Sequence, residues 1–293
     1  MSVVELTAEP LFKVRARLGE GPVWDERDGS LVFVDIDGAA VHRFRLADGR
    51  HTSFSTGVHV GAVGLRAEGG LVLALLDHFA FTDEQGSDLE RVPGFTSDAA
   101  AVRFNDGEVD PWGRFVAGTM AWSLAAPLGS LYQLSPDGSV SSLVKGVTCS
   151  NGLAWTDDRT RLYYVDTPTQ RIDAFDVDPD TGALLGRGSA IEVPAAHGSP
   201  DGLTLDAEGC IWLACYGGSR VCRYTPAGVL DRLVRLPASL VTSVAFGGPD
   251  LDQLYITTAS AGLDAGRLAA EPFAGDLFVA HPRVQGRPTN RFG

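Results

Sequence analysis

Cationic residues are scarce in this chain of 293 residues: 24 lysines and arginines stand against 37 aspartates and glutamates, a formal net charge of −13. Such a surface repels a phosphate backbone and argues against nucleic acid as a partner. Long apolar runs are also missing. A run such as Leu71 to Leu76 falls far short of the roughly 20 residues of a membrane helix. The N-terminus lacks the basic start and apolar stretch of a secretory signal. Four cysteines, Cys149, Cys210, Cys215 and Cys222, show no C-x-x-C spacing and are too few for a disulfide scaffold. A reduced, cytoplasmic protein with no membrane partner is the expectation. The six histidines form no H-E-x-x-H motif and no close i, i+4 pair, which argues against a histidine-based zinc site. There is no G-x-S-x-G and no Walker A sequence, and Gly19-Glu-Gly21 is only a fragment of a dinucleotide fingerprint.

What is present is enough apolar material for a core, 44% against 21% charged residues, and an excess of glycine, 35 against 16 prolines. That balance suits many tight turns better than a helical bundle. The turns belong to a repeat. Glu20-Gly-Pro-Val-Trp24, Gly61-Ala-Val-Gly-Leu65, Asn105-Asp-Gly-Glu-Val109, Asn151-Gly-Leu-Ala-Trp155, Asp201-Gly-Leu-Thr-Leu205 and Thr242-Ser-Val-Ala-Phe246 are each followed by a Gly/Asp turn and a second apolar strand. The intervals between their first residues are 41, 44, 46, 50 and 41. A period in the forties with hairpin grammar predicts a propeller of four-stranded blades. Six copies predict an all-β, six-bladed β-propeller occupying residues 1–293 as one domain. The sixth copy ends after its third strand, and an orphan strand, Leu11 to Arg17, precedes the first. That orphan is expected to complete blade six and close the ring.

The innermost strand of each blade lines the central channel, so equivalent repeat positions form a ring around the axis. The first position reads Glu20, Gly61, Asn105, Asn151, Asp201 and Thr242. Four of the six are carboxylates or amides, which suits a hard divalent cation such as Ca²⁺ or Mg²⁺, and also Mn²⁺ or Fe²⁺. Taken singly, an Asn or Asp before a strand does no more than cap a turn. Their common register is what favours a site.

Five segments, Leu18-Gly-Glu-Gly-Pro-Val-Trp24, Arg103-Phe-Asn-Asp-Gly107, Gly118-Thr-Met120, Ser150-Asn-Gly-Leu-Ala-Trp155 and Ser199-Pro-Asp-Gly-Leu203, resemble in order the motifs of the gluconolactonase/senescence-marker-protein (regucalcin-like) family. The likeness spans about residues 11–280. It implies one axial divalent ion, with Zn²⁺ joining Ca²⁺, Mn²⁺, Fe²⁺ and Mg²⁺ as candidates. The metal ligands it implies are Glu20, Asn151 and Asp201, and the substrate-binding residues are Arg103 and Asn105. The implied activity is hydrolysis of a sugar-acid lactone by metal-activated water, with Asp201 doubling as general base. The implied partner is the small-molecule sugar lactone, and a monomer or weak oligomer is expected. One departure stands out. Where some members carry an acidic residue shortly after Gly-Thr-Met, this chain has Ala121-Trp122-Ser123, and a tryptophan offers a ring face in place of a hydrogen-bond acceptor.

Other signals read as structural. Asp176-x-Asp178-x-Asp180 lacks the sixth-place glycine and twelfth-place glutamate of an EF-hand and is read as a hairpin turn. Trp24, Trp155 and Trp212 are read as blade packing, and Cys149 as packing beside the site. His197, four residues before Asp201, is either a loop histidine or part of the channel mouth. The alternatives to a lactonase are another ester or organophosphate hydrolase on the same frame, and a non-catalytic metal-binding propeller.

Overall fold

The computed structural model describes residues 3–188 and 190–293. It is almost entirely β, built as six sheets, each with an antiparallel body. The innermost strands are Gly19–Asp25, Val60–Leu65, Val102–Val109, Ser150–Trp155, Ser199–Leu205 and Val241–Gly247. Each pairs with the next strand in sequence, and the blade steps outwards hairpin by hairpin. The inner strands neighbour one another in chain order, and the sixth returns to the first. This is the expected six-bladed propeller.

Two details differ from the expectation. The closing strand is Glu9–Phe12, which pairs antiparallel with Leu277–Ala280 of blade six. The predicted span, residues 11–17, cannot continue as strand. Arg15 takes a φ of 58°, and the amides of Arg15, Arg17 and Leu18 are bound by the carboxylates of Asp276 and Asp35. The second detail is strand number. Val4–Thr7 adds a fifth, parallel strand to the edge of blade five, beside Leu230–Arg235. In blade four, Leu184–Arg187 and Ile191–Glu192 both pair with Arg171–Val177. Extra pairing at outer edges covers free N–H and C=O groups that would otherwise template association.

The core lies between blades. Trp212, Val234, Phe246 and Phe278 join blades five and six, while Val32, Val63, Leu65 and Leu73 join blades one and two. Each such fully buried side chain contributes about 1.5–3 kcal/mol. Trp24, Trp155 and Trp212 all belong to these layers, as expected. The Asp178 segment is a turn whose carboxylate accepts from the amides of Asp180 and Thr181. The chain end was not anticipated. Residues 285–293 run across the lower mouth of the channel and bond to every blade. Their contacts are Trp24 O, Phe292 to Leu65 O, Asn290 to Val109 O, Arg287 to Trp155 O, Gln285 to Ala207, and Gly286 to Leu251 O.

Glycine fixes how closely the blades meet at the axis. A Cβ on Gly152 would lie 2.5 Å from Leu203 N and 2.7 Å from Asp201 O. Gly152→Ala is therefore expected to cost about 1–3 kcal/mol, measured by urea unfolding. Gly186→Ala, whose Cβ would meet nothing within 4 Å, is the control and should be close to neutral or slightly stabilising. Equal effects of the two changes would refute close inter-blade contact as the reason for Gly152.

Candidate metal centre and active site

All six inner strands share an irregularity at the repeat position. Strand pairing shifts register between Glu20 and Val23, Val60 and Ala62, Phe104 and Asp106, Ser150 and Leu153, Pro200 and Leu203, and Val241 and Ser243. A bulge re-aims side chains that strict alternation would send elsewhere. Here it brings Glu20, Asn105, Asn151 and Asp201 to the axis. Asn151-Gly and Asp201-Gly are therefore bulges within strands, not turns before them.

Two of these strands are anchored by aspartates ending the neighbouring strand. Asp35 accepts from the amides of Arg17 and Leu18, just before Glu20. Asp166 accepts from Thr148 and Cys149, just before Asn151. The ligand-bearing residues thus start from fixed backbone positions.

Glu20, Asn151 and Asp201 are all buried. Burial first, and then the neighbouring acids, push Glu20 and Asp201 well above the usual carboxylate range: Asp201 and Asp106 act on Glu20, and Asp106 acts on Asp201. The amide of Asn151 has a defined orientation. Its Nδ2 donates to Thr167 Oγ1 at 2.8 Å, and that hydroxyl donates to Pro200 O at 2.9 Å. Its Oδ1 is left buried without a hydrogen-bond partner. A buried orphan acceptor is costly unless something electropositive meets it. An orphan amide oxygen beside two crowded carboxylates is a donor set that fits one hard divalent ion.

Arg103 and Asn105 form the adjoining half of the site. Arg103 Nη1 donates to Asn105 Oδ1 at 2.7 Å and to Phe104 O at 2.9 Å, and Asn105 Nδ2 donates to Ser150 O at 2.8 Å. The guanidinium is buried, yet both of its bonds here use Nη1, which leaves further N–H donors for a ligand. Trp122 stands at the rim, 43% exposed. Its Nε1 donates to Ala99 O at 3.0 Å. The Arg103 guanidinium carbon lies 5.7 Å from its ring centre, and the His59 ring 5.5 Å.

Of three further residues weighed in the sequence, one turns out differently, one is decided between its two readings and one is as expected. Thr242 shares the register but not the axis: its hydroxyl donates to Gly19 O and stitches blade six to blade one. His197 does not line the mouth, because its Nδ1 lies 3.0 Å from Tyr224 OH within blade five. Cys149 packs beside the site with its thiol pushed up to about 12, chiefly by burial, and is no nucleophile.

The sequence reading missed two acids. Asp106 follows Asn105 directly, and the bulge brings both inward. Burial raises its carboxyl to about 6. Burial, then Asp106, raises Glu108 further down the channel to about 8. A cavity of about 10 Å³ between them holds about one water. The Asn-Asp-Gly signal was available, but alternation placed Asp106 on the wrong face. Asp206, Glu208 and Cys210 also gather within 4.8 Å. That group is already neutralised, since the Arg223 guanidinium, itself buried, pairs with Asp206 at 2.7 Å and also with Glu208 and Asp231.

The fold and the axial ring of acids and amides define a six-bladed propeller with a polar, acidic channel, and comparison with known proteins gives the particular family. The family model described as SMP-30/gluconolactonase/LRE-like region matches residues 18–260. Regucalcin of Gallus gallus is 41% identical over 95% of this chain and 95% of its own length. YvrE of Bacillus subtilis, provisionally named a sugar lactone lactonase, is 36% identical over 93% of this chain and 94% of its own. Among solved structures, the crystal structure of a calcium-binding protein, regucalcin, from Agrobacterium tumefaciens superposes with a TM-score of 0.92 at 29% identity. It covers 100% of this chain and 99% of that one. The chain belongs to the SMP-30/gluconolactonase family. No helix among the described residues is long and apolar enough to cross a membrane.

Proposed function

We propose that this protein is a divalent-cation-dependent lactonase that opens a sugar-acid lactone to its aldonic acid. The observation that carries the reading is the unpartnered Asn151 Oδ1, which shares the axial ring with the buried carboxylates of Glu20 and Asp201, both of which feel the charge of Arg103. Glu20, Asn151 and Asp201 would hold one ion, with Ca²⁺, Zn²⁺, Mn²⁺, Fe²⁺ and Mg²⁺ as candidates. Such an ion polarises a carbonyl and acidifies water when bound. Asp201 takes the proton of the attacking water. Arg103 donates to the ring oxygen or hydroxyls of the lactone, and Asn105 fixes the guanidinium; holding both reactants in place lowers the entropic part of the barrier. The product carboxylate is also matched by a guanidinium. The protein acts as a monomer or weak oligomer in the reducing cytoplasm, in keeping with four free cysteines.

The test is proton release from glucono-, galactono-, xylono- and arabinono-lactones, with spontaneous opening subtracted, on chelated protein and after each cation is restored. Fast turnover of one lactone only with cation supports the reading, and background rates with every ion overturn it. A second reading, hydrolysis of an aryl ester or organophosphate, is favoured by exposed Trp122, so an aryl ester belongs in the panel. Arg103→Lys removes the planar fork but keeps the charge. It should lower kcat/KM about 10–100-fold, chiefly through KM, because each lost charge-assisted hydrogen bond is worth about 1.5–3 kcal/mol. An unchanged KM would remove Arg103 from the substrate site.

A further inference from the structure

Trp122 opens a loop at the rim of the axial site. The strand register pairs Arg103 with Met120 and Val102 with Ala121, so the chain leaves blade three at the end that carries Arg103 and Asn105. The loop then reads Trp122-Ser-Leu-Ala-Ala-Pro-Leu128, with Ser123 its one polar residue. Its large side chains stand in solvent: Trp122 is 43% exposed, and Leu124 and Leu128 are at least half exposed. Val58, also exposed, precedes His59, whose ring meets Trp122 edge-on. The indole offers a ligand no hydrogen bond, since its Nε1 is spent on Ala99 O. That bond also fixes the ring beside the Arg103 guanidinium, 5.7 Å away. The mouth is not apolar throughout, because Asp37 Oδ1 lies 3.7 Å from His59 Nε2. Exposed apolar surface continuous with a polar ligand site marks a place where an apolar group is received.

We infer that the site also opens lactones whose carbon next to the ring oxygen bears an alkyl or aryl substituent, and that Trp122 and its loop receive that substituent. The inference rests on the lactonase reading of the axial site. In that reading Arg103 holds the ring oxygen. The carbon bonded to that oxygen then lies beside Arg103, and its substituent meets the indole that Arg103 touches. Water adds to the carbonyl carbon, the bond from that carbon to the ring oxygen breaks, and the ring oxygen keeps the electron pair and takes a proton. The product is a hydroxy acid whose carboxyl releases its proton at neutral pH. The substituent takes no part in the bond changes. It contributes binding, so its effect appears in KM. A methylene removed fully from water is worth about 0.8 kcal/mol, or about fourfold. A rim that stays partly open gives about two- to fourfold per carbon.

The experiment follows proton release from γ-butyrolactone and its γ-methyl, ethyl, butyl and hexyl homologues, each below its aggregation concentration, with the whole protein and the cation that best supports turnover of the aldono-lactones. kcat/KM should climb about two- to fourfold per methylene over the first carbons, chiefly through KM. Trp122→Ala should flatten the series, and Trp122→Phe should keep most of the slope. Leu124→Ser should lower only the longer homologues. Leu185→Ser, at an exposed leucine on the outer edge of blade four, is the control and should leave the slope intact. Aldono-lactone turnover with a flat or falling alkyl series would overturn the inference and leave the lactonase reading standing. So would a slope that survives Trp122→Ala. If no lactone of either kind is opened, the lactonase reading fails, and calorimetry with butanoate, hexanoate and octanoate decides the apolar subsite. Affinity that rises with chain length and is lost in Trp122→Ala supports it, and affinity independent of length overturns it.

Discussion

Replacing Asp201 with asparagine is expected to reduce kcat/KM for the lactone by about a thousandfold or more, and to raise the unfolding temperature of the chelated protein. The two effects have one origin. Asp201 is buried beside Glu20 and Asp106, and its carboxyl is pushed well above the ordinary range by burial and then by the Asp106 charge. Its ionised form is what holds a cation and accepts a proton from water, and a general base alone contributes about 10²–10⁴-fold. Asparagine is nearly isosteric and keeps an oxygen, but it cannot take the proton and carries no charge to offset a dication. Without the cation, the same change removes a carboxylate that the folded chain holds at a cost. Activity should fall while the apo protein gains stability, a pair of signs that a folding defect does not produce. Proton-release kinetics and thermal melting in chelator are the measurements. Retained turnover would remove Asp201 from the chemistry. Lost turnover with a lowered melting temperature would assign it a structural role instead.

The blades were legible because their strands repeat the same grammar: an apolar strand, a Gly/Asp turn, another apolar strand, from Glu20 to Thr257. The axial residues were legible for the same reason, since repeat position maps onto ring position. What escaped depends on departures from that grammar. Asp106 reaches the axis only because the strand bulges after Phe104, and a period-two reading sends it outward. Thr242 sits in register, yet its hydroxyl is committed to Gly19 O, a partner more than 200 residues away in sequence. Val4–Thr7 pairs parallel with Leu230–Arg235, and four residues carry too little pattern to choose an edge. The final segment has no periodicity at all. Its position is set by side-chain and backbone bonds to six blades, through residues such as Arg287, Asn290 and Arg291, which read as an ordinary polar tail.

The stability of the cation-free protein should fall as pH rises from about 5 to 8, and a bound divalent ion should reverse that trend. Glu20 and Asp201 are raised well above their ordinary values, Asp106 to about 6 and Glu108 to about 8. Each therefore binds its proton more tightly in the folded chain than in the unfolded one. The stability these groups contribute is complete below their unfolded values, near pH 4, and is lost as pH rises through the folded ones, up to about pH 8. Surface acids act oppositely. Asp48 is lowered to about 2, first by its hydrogen bond from Arg45, so its share is lost only as pH falls below about 4. A cation at the axis competes with the protons on Glu20 and Asp201. Binding should release protons at pH 7 and tighten with pH, and a thousandfold excess over Kd stabilises the fold by about 4 kcal/mol. Melting curves at pH 5, 6.5 and 8, in chelator and in saturating Ca²⁺, measure the effect. General acidic repulsion from the net charge of −13 would also lower stability with pH, but it would not depend on one side chain. Asp106→Asn, which leaves the proposed ligands in place, should flatten the pH slope in chelator. A slope unchanged in that variant, together with an equal Ca²⁺ effect at pH 5 and pH 8, would mean that the axial carboxylates are not where the protons and the cation compete.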